Sequence, residues 1–226
     1  FVSDFFSYLC GMKSKYTKNM KRLQTLLTLL VVAAFTVAAQ NQPGAPWQIR
    51  VMSYNVQHCA GIDSNIDYDR TADVIFQQQP DVVALQELDS MTARSGKCDQ
   101  LAELASRTLY FPTFAKAIDF DGGKYGIGIL TRERPLSVTR TPLPGKEPRV
   151  LLVVELKNYV MACTHLDLAE ENRLASVPLI VAEAQKWQKP FLIAGDWNDE
   201  LDSKLLTELK KYFVINTGKK ATYPAD

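Results

Sequence analysis

Four apolar runs in this chain each end in a polar residue suited to a metal ion or a phosphate. They are residues 49–55 (IRVMSYN), 82–87 (VVALQE), 160–165 (VMACTH) and 191–196 (FLIAGD), ending at Asn55, Glu87, His165 and Asp196. Each run is short, rich in Val, Ile and Leu, and bounded by loop residues, which reads as a buried strand rather than a helix. Apolar residues hold such a strand in a core. The polar residue at its mouth avoids the cost of burial when it faces solvent or a cation. Two carboxylates, an amide and an imidazole delivered in this way predict an active site built on strand ends.

Between these runs, helical and strand-like segments interleave. Residues 68–79 carry Ala72, Val74, Ile75 and Phe76 near helical spacing and stop at Pro80, and residues 99–109 place Leu101, Leu104, Ala105 and Leu109 on one face. Helices are also expected over 170–187, kinked at Pro178, and over 201–212. Further strands are expected over 111–118, 127–131, 150–156 and 159–165, with Lys157-Asn158 as a tight hairpin between the last two. Strands that alternate with helices and also form hairpins imply mixed sheets covered by helices. With 46% hydrophobic and 23% charged residues in 226, such a chain can bury a sizeable core.

The N-terminus reads differently. Met20-Lys21-Arg22 is followed by LQTLLTLLVVAAFTVAA, a basic start, an apolar centre and a small-residue end. This predicts a Sec-type signal peptide over 20–39, cleaved near Ala39, and therefore an exported, periplasmic or extracellular protein with no stable membrane span after cleavage. A retained membrane anchor is the alternative, though Gln24, Thr25, Thr28 and Thr36 dilute the stretch. Residues 1–19 read as upstream translation without structure, 40–48 as a linker and 49–226 as one domain. Cleavage would leave 21 basic and 24 acidic residues. Long nucleic acid is not favoured by that balance, because phosphate contacts call for a cationic footprint. Cys163 falls in an apolar strand, and Cys59 and Cys98, in loop-like sequence, are the candidate disulfide pair of an exported protein.

Asn55 in SYN, Glu87 in LQELD, His165 in THLD, and Asp196 with Asn198 in GDWND resemble the ordered motifs of the endonuclease/exonuclease/phosphatase superfamily, the deoxyribonuclease-I-like phosphoesterases. The resemblance runs from about Arg50 to Pro224. The segments KYGIGIL and EPRVLLVVEL also resemble family segments, but Ile127 stands where the family usually has Asn. The family's closing Ser-Asp-His motif has no counterpart before Asp226, so a domain truncated at its C-terminus, and catalytically impaired as it stands, is expected. The resemblance implies an α+β fold: a two-sheet mixed β-sandwich flanked by helices, in four layers α/β/β/α.

It also implies chemistry. Phosphoester hydrolysis needs a cation to neutralise oxygen charge and a water aimed in line. The expected metal ligands are Glu87, Asn55 and Asp196, holding Mg2+ or Mn2+, hard cations that take few protein carboxylates. The catalytic set is His165, Asp196 and Asn198. Asp196 positions or deprotonates the water, Asn198 donates to phosphate, and His165 supplies charge or a proton near it. Asn55 and Arg149 are the substrate-binding candidates, with Arg149 equally readable as a surface residue and His58 as a loop histidine. In extended geometry Asp196 and Asn198 would share a face; the other reading is a turn of Asx residues capping the helix from Leu201. No Cys/His cluster has zinc spacing. The expected substrate is small and phosphorylated or phospholipid-like. A non-catalytic module of the same fold, binding phosphate or headgroups, and an exported nuclease remain the alternatives.

Overall fold

The computed structural model describes residues 48–216. The expected upstream segment, the signal peptide and nearly all of the linker lie outside the described residues. The elements below all belong to the unit that begins at Ile49.

Eight strands and four helices follow in order: β1 (Val51–Asn55), α1 (Tyr68–Gln78), β2 (Val82–Ser90), α2 (Gln100–Thr108), β3 (Phe111–Phe120), β4 (Gly123–Thr131), β5 (Ser137–Leu143), β6 (Arg149–Glu155), β7 (Val160–His165), α3 (Glu170–Ala184), β8 (Phe191–Asp196) and α4 (Lys204–Leu209). The strands make two four-stranded sheets, ordered β1-β2-β4-β3 and β5-β6-β7-β8. Each sheet is mixed and carries one parallel pair, β1 with β2 and β7 with β8.

Alternation along the strands builds the layers. Val82, Ala84, Ile127 and Ile129 of the first sheet meet Val150, Leu152, Val154, Met161 and Cys163 of the second in one buried cluster. On the outer face of the first sheet, Val83, Leu85 and Leu88 pack against Ala72 and Ile75 of α1 and Leu101 and Leu104 of α2. On the outer face of the second, Leu151, Val153 and Ala162 pack against Val177 and Ile180 of α3 and Leu205 and Leu209 of α4. The four-layer order is therefore helix, sheet, sheet, helix, as expected. Burial on both faces explains the nearly continuous apolar runs of β2 and β7, whereas β1 and β8, at the ends of their sheets, are only partly buried.

The starts of α1, α2 and α4 are set by side chains accepting from the first turn: Asp67 from the Arg70 N–H, Asp99 from Ala102 and Ser203 from Leu206. The last helix is consequently shorter than expected, beginning at Lys204 and not at Leu201. α3 runs through Pro178 and ends at Ala184. The 157–158 hairpin is present, with the Leu156 N–H donating to the Tyr159 carbonyl at 2.9 Å. β5 was not expected. Among the described residues it is an edge strand paired only with β6, largely solvent-facing, and it contains Pro142, so it lacks the apolar run that betrays a central strand. Cys59, Cys98 and Cys163 are all free thiols.

Candidate active site

The two parallel pairs end at the same place. In register, Asn55 lies opposite Gln86 and His165 opposite Asp196, while β1 and β8 pack against each other across the sandwich. Side-chain parity then aims the ends. Met52 and Tyr54 of β1 face the helices, so Asn55 faces the other sheet. Leu192 and Ala194 face inward on β8, as do Met161 and Cys163 on β7, so Asp196 and His165 also point into the gap between the sheets.

Glu87 reaches the gap by a different route. On β2 the residues facing the helices are Val83 and Leu85, then Leu88, so the alternation slips by one at 86–87. The pairing with β4 shifts between Leu85 and Leu88, and Glu87 has φ of 60°. This is a β-bulge, which inserts a residue and re-aims the side chain. Without it Glu87 would face the helices. Gln86 keeps the inward parity of Val82 and Ala84 and donates to the Cys163 thiol at 3.4 Å, while the bulge swings Glu87 to the mouth.

There the groups converge. Nδ2 of Asn55 donates to Oε1 of Glu87 at 2.7 Å and to Oδ2 of Asp196 at 3.0 Å. Its Oδ1 accepts from the Gln57 N–H at 3.1 Å, which fixes the amide's orientation. His165, 8% exposed, has Nε2 3.9 Å from Oδ2 of Asp196, too far for a hydrogen bond. Burial, and after it the charge of Arg149, lower the imidazole's pKa against the opposing pull of Asp196 and Glu87, which keeps the ring neutral at neutral pH.

Arg149 is not a surface residue. Its side chain is only 10% exposed, Nη1 lies 3.1 Å from Oε1 of Glu147, and Nε is buried without a partner. It lines a narrow cleft with Tyr125, Ile127 and His165. Beside it Asp167 accepts from the Lys146 and Ala169 N–H groups and from Asn172, and these bonds hold its carboxyl below the usual range.

Asn198 differs from the extended geometry expected of it. With φ of 49° it closes a turn in which its own N–H donates to Oδ1 of Asp196 at 2.9 Å, and its Nδ2 donates to the Leu166 carbonyl at 2.8 Å. Asn tolerates this left-handed backbone better than most residues. The turn orients the Asp196 carboxylate; it does not cap α4, and Asp199 is committed to Arg173 at 3.0 Å. His58 sits in the short turn after β1, where its carbonyl accepts from Gln100. Tyr125 is the residue the sequence reading missed. It shares parity with the inward-facing Ile127 and Ile129, the signal that places it on the inner face.

The donor set suits a hard cation. Two carboxylates share one amide donor; Asn55, expected as a metal ligand, instead presents its nitrogen to them and turns its carbonyl oxygen to the Gln57 N–H. Magnesium-type ions take one or two carboxylates and complete their shell with water. Among the described residues no three His, Cys, Asp or Glu side chains gather as a metal cluster.

Comparison with known proteins bears on the fold. The model of the endonuclease/exonuclease/phosphatase family matches residues 52–217. Among solved structures, a conserved protein of unknown function from Enterococcus faecalis is 19% identical, with a TM-score of 0.61 and coverage of 72% of both chains. A mannosyl-6-phosphatase from Bacteroides thetaiotaomicron is 16% identical, with a TM-score of 0.60 over 73% of this chain and 70% of its own. An endonuclease/exonuclease/phosphatase protein from Beutenbergia cavernae is 23% identical, with a TM-score of 0.56 over 68% of this chain and 48% of its own. No curated protein matches the chain.

Proposed function

The chain belongs to the endonuclease/exonuclease/phosphatase family, and from that premise we propose that it is a Mg2+- or Mn2+-dependent hydrolase of small phosphoesters. The observation that carries this reading is the grip of Asn55 on both Glu87 and Asp196, which brings two carboxylates from different sheets to one point. Like charges so placed repel unless a cation or a proton lies between them.

Glu87 and Asp196 would hold the cation, with the Asn55 amide donating to both carboxylates. Once bound, it supplies neutralisation of charge on the phosphate oxygens. The chain's own groups do the rest. Asp196, oriented by the Asn198 N–H, accepts a proton from the attacking water. His165, neutral and largely buried, donates to a phosphate oxygen, and the second Nδ2 proton of Asn198 does the same. Arg149, with an unpartnered Nε and little exposure, adds fixed positive charge beside His165. The slight acidic excess after residue 39 supports a small substrate over long nucleic acid.

Turnover of p-nitrophenyl phosphate and bis(p-nitrophenyl) phosphate tests the reading. Chelation should abolish it, and Mg2+ or Mn2+ should restore it. Glu87→Gln should raise the metal concentration needed while leaving the melting temperature of the metal-free protein unchanged. Turnover that persists in chelator overturns the metal dependence. Inorganic phosphate bound tightly without turnover of either ester would point to the non-catalytic module.

We further propose export, on the strength of the basic start, apolar centre and small-residue end of residues 20–39. Intact mass of the secreted protein should place its N-terminus near Gln40; a protein beginning at Met20 in the membrane fraction overturns this.

A further inference from the structure

Two residues beyond Glu87 on β2, Asp89 is fully buried, and it clamps an arginine at the rim of the site. Nε of Arg94 donates to Oδ2 of Asp89 at 2.7 Å and Nη2 to Oδ1 at 2.8 Å, while the Thr92 hydroxyl adds a bond to Oδ2 at 2.8 Å. The guanidinium carbon stands 4.5 Å from the centre of the Phe120 ring and 5.6 Å from that of Tyr125. The Arg94 N–H donates to Oδ2 of Asp121 in the β3–β4 turn at 2.6 Å, tying the 91–98 loop to that turn. A side chain fixed on its edge and against two rings has lost its rotamer freedom on folding and loses little more on binding.

The clamp leaves an edge unused. Nη1 of Arg94 has no partner among the described residues, and the side chain is 35% exposed. That edge is next to the site. Tyr125, opposite Asp89 in the β2–β4 pairing, touches Arg94 on one side and lines the cleft of Arg149 and His165 on the other. The carboxylates of Asp89 and then Glu87 both hold the guanidinium's proton more firmly, and Arg94, after burial, is the main influence lowering the pKa of His58. Asp89 already balances its charge, and the Nη1 protons are left to donate to oxygen acceptors. Phe120, 38% exposed, supplies apolar surface beside it for the C–H face of a ring.

We propose that the free edge of Arg94, held by Asp89, Phe120 and Tyr125, reads hydroxyl oxygens on the leaving group, so that the site selects polyhydroxylated phosphate esters over esters with a bare aromatic leaving group. This rests on the phosphoesterase reading above and names its substrate class. Arg94 in this role is a specificity residue.

The test compares wild type, Arg94→Ala and Arg94→Lys. The lysine variant keeps an ammonium for Asp89 but loses the fork. Phosphate release is measured from a hexose 6-phosphate, glycerol phosphate and p-nitrophenyl phosphate, and binding of the hexose 6-phosphate and of inorganic phosphate by calorimetry. Both variants should lower the ratio of kcat/KM for the hexose ester to that for p-nitrophenyl phosphate about tenfold, mainly through KM, as one lost charged hydrogen bond predicts. The Kd for hexose 6-phosphate should weaken by the same factor relative to phosphate. A loss confined to the hexose ester identifies a sugar, and one shared with glycerol phosphate a polyol more generally. Equal losses on all esters, or an unchanged ratio of the two Kd values, overturn the proposal. A wild type that binds these ligands without turning any over refutes the phosphoesterase reading alone, and the Kd ratio still decides the role of Arg94.

Discussion

Nδ2 of Asn55 lies 2.7 Å from a carboxylate oxygen of Glu87 and 3.0 Å from one of Asp196, so a single amide from β1 joins the ends of strands from both sheets. The sandwich core would hold the sheets together without it. What the amide adds is the relative placement of two charges that would otherwise repel.

Asn55→Ala should therefore separate function from stability. The residue is only partly buried, and its loss should cost about 1–3 kcal/mol at most, a modest fall in melting temperature. Misplacing two acids by about 1 Å can cost about 100-fold in kcat/KM. A variant that melts much lower but turns over at the wild-type rate would reverse this assignment.

Glu87 holds a left-handed backbone, φ 60°, that costs a residue with a Cβ about 1–2 kcal/mol and glycine almost nothing. Glu87→Gly should then be more stable than Glu87→Ala by about 1 kcal/mol, the reverse of the usual order within a strand, while both are inactive. Melting of the two variants side by side measures it. If alanine proves the more stable, then the bulge relaxes on substitution and Glu87 carries no backbone strain.

Much of this site was legible because alternation is simple arithmetic. Once Ala194 and Cys163 are read as inward-facing, Asp196 and His165 follow two residues later, and Asn55 follows from the outward-facing Tyr54 in the same way. Glu87 was legible only as a chemical type at a strand end. The bulge that aims it depends on pairing with β4, and strand pairing leaves no local trace in VVALQE. Asn198 was misjudged because the reading carried strand geometry past Asp196, where the chain had already turned. β5 escaped because an edge strand with one wet face needs no apolar run. Arg94 and Asp89, 35% and 0% exposed along their side chains, could not be recognised as a clamp without knowing that the 91–98 loop folds back over β2.

Gly195, one residue before Asp196, meets β7 at close quarters. A Cβ there would come within 2.1 Å of the Thr164 carbonyl oxygen, backbone that cannot move aside cheaply. Gly195→Ala should push β8 away from β7 just where Asp196 and His165 are in register. Activity should fall at least about 100-fold, and stability by about 1–3 kcal/mol, the range for overpacked sites. Normal turnover by a Gly195→Ala protein would mean that the β7–β8 spacing does not set the position of Asp196.

Alkaline pH should unfold the protein through its buried thiols. Burial pushes both Cys59 and Cys163 up to about 12 from an ordinary 9.0. The unfolded chain releases these protons near pH 9 while the folded protein keeps them. Stability is therefore complete below pH 9 and drains away as pH rises towards 12, by up to about 1.4 kcal/mol per pH unit for each thiol. The melting temperature should be flat from pH 7 to 8.5 and fall between 9 and 10.5. Cys163→Ala should start lower, because a fully buried side chain is truncated, but its curve should fall less steeply, since one of the two thiols no longer titrates. Parallel curves for the two proteins would show that Cys163 titrates alike in both states and that alkaline unfolding has another source.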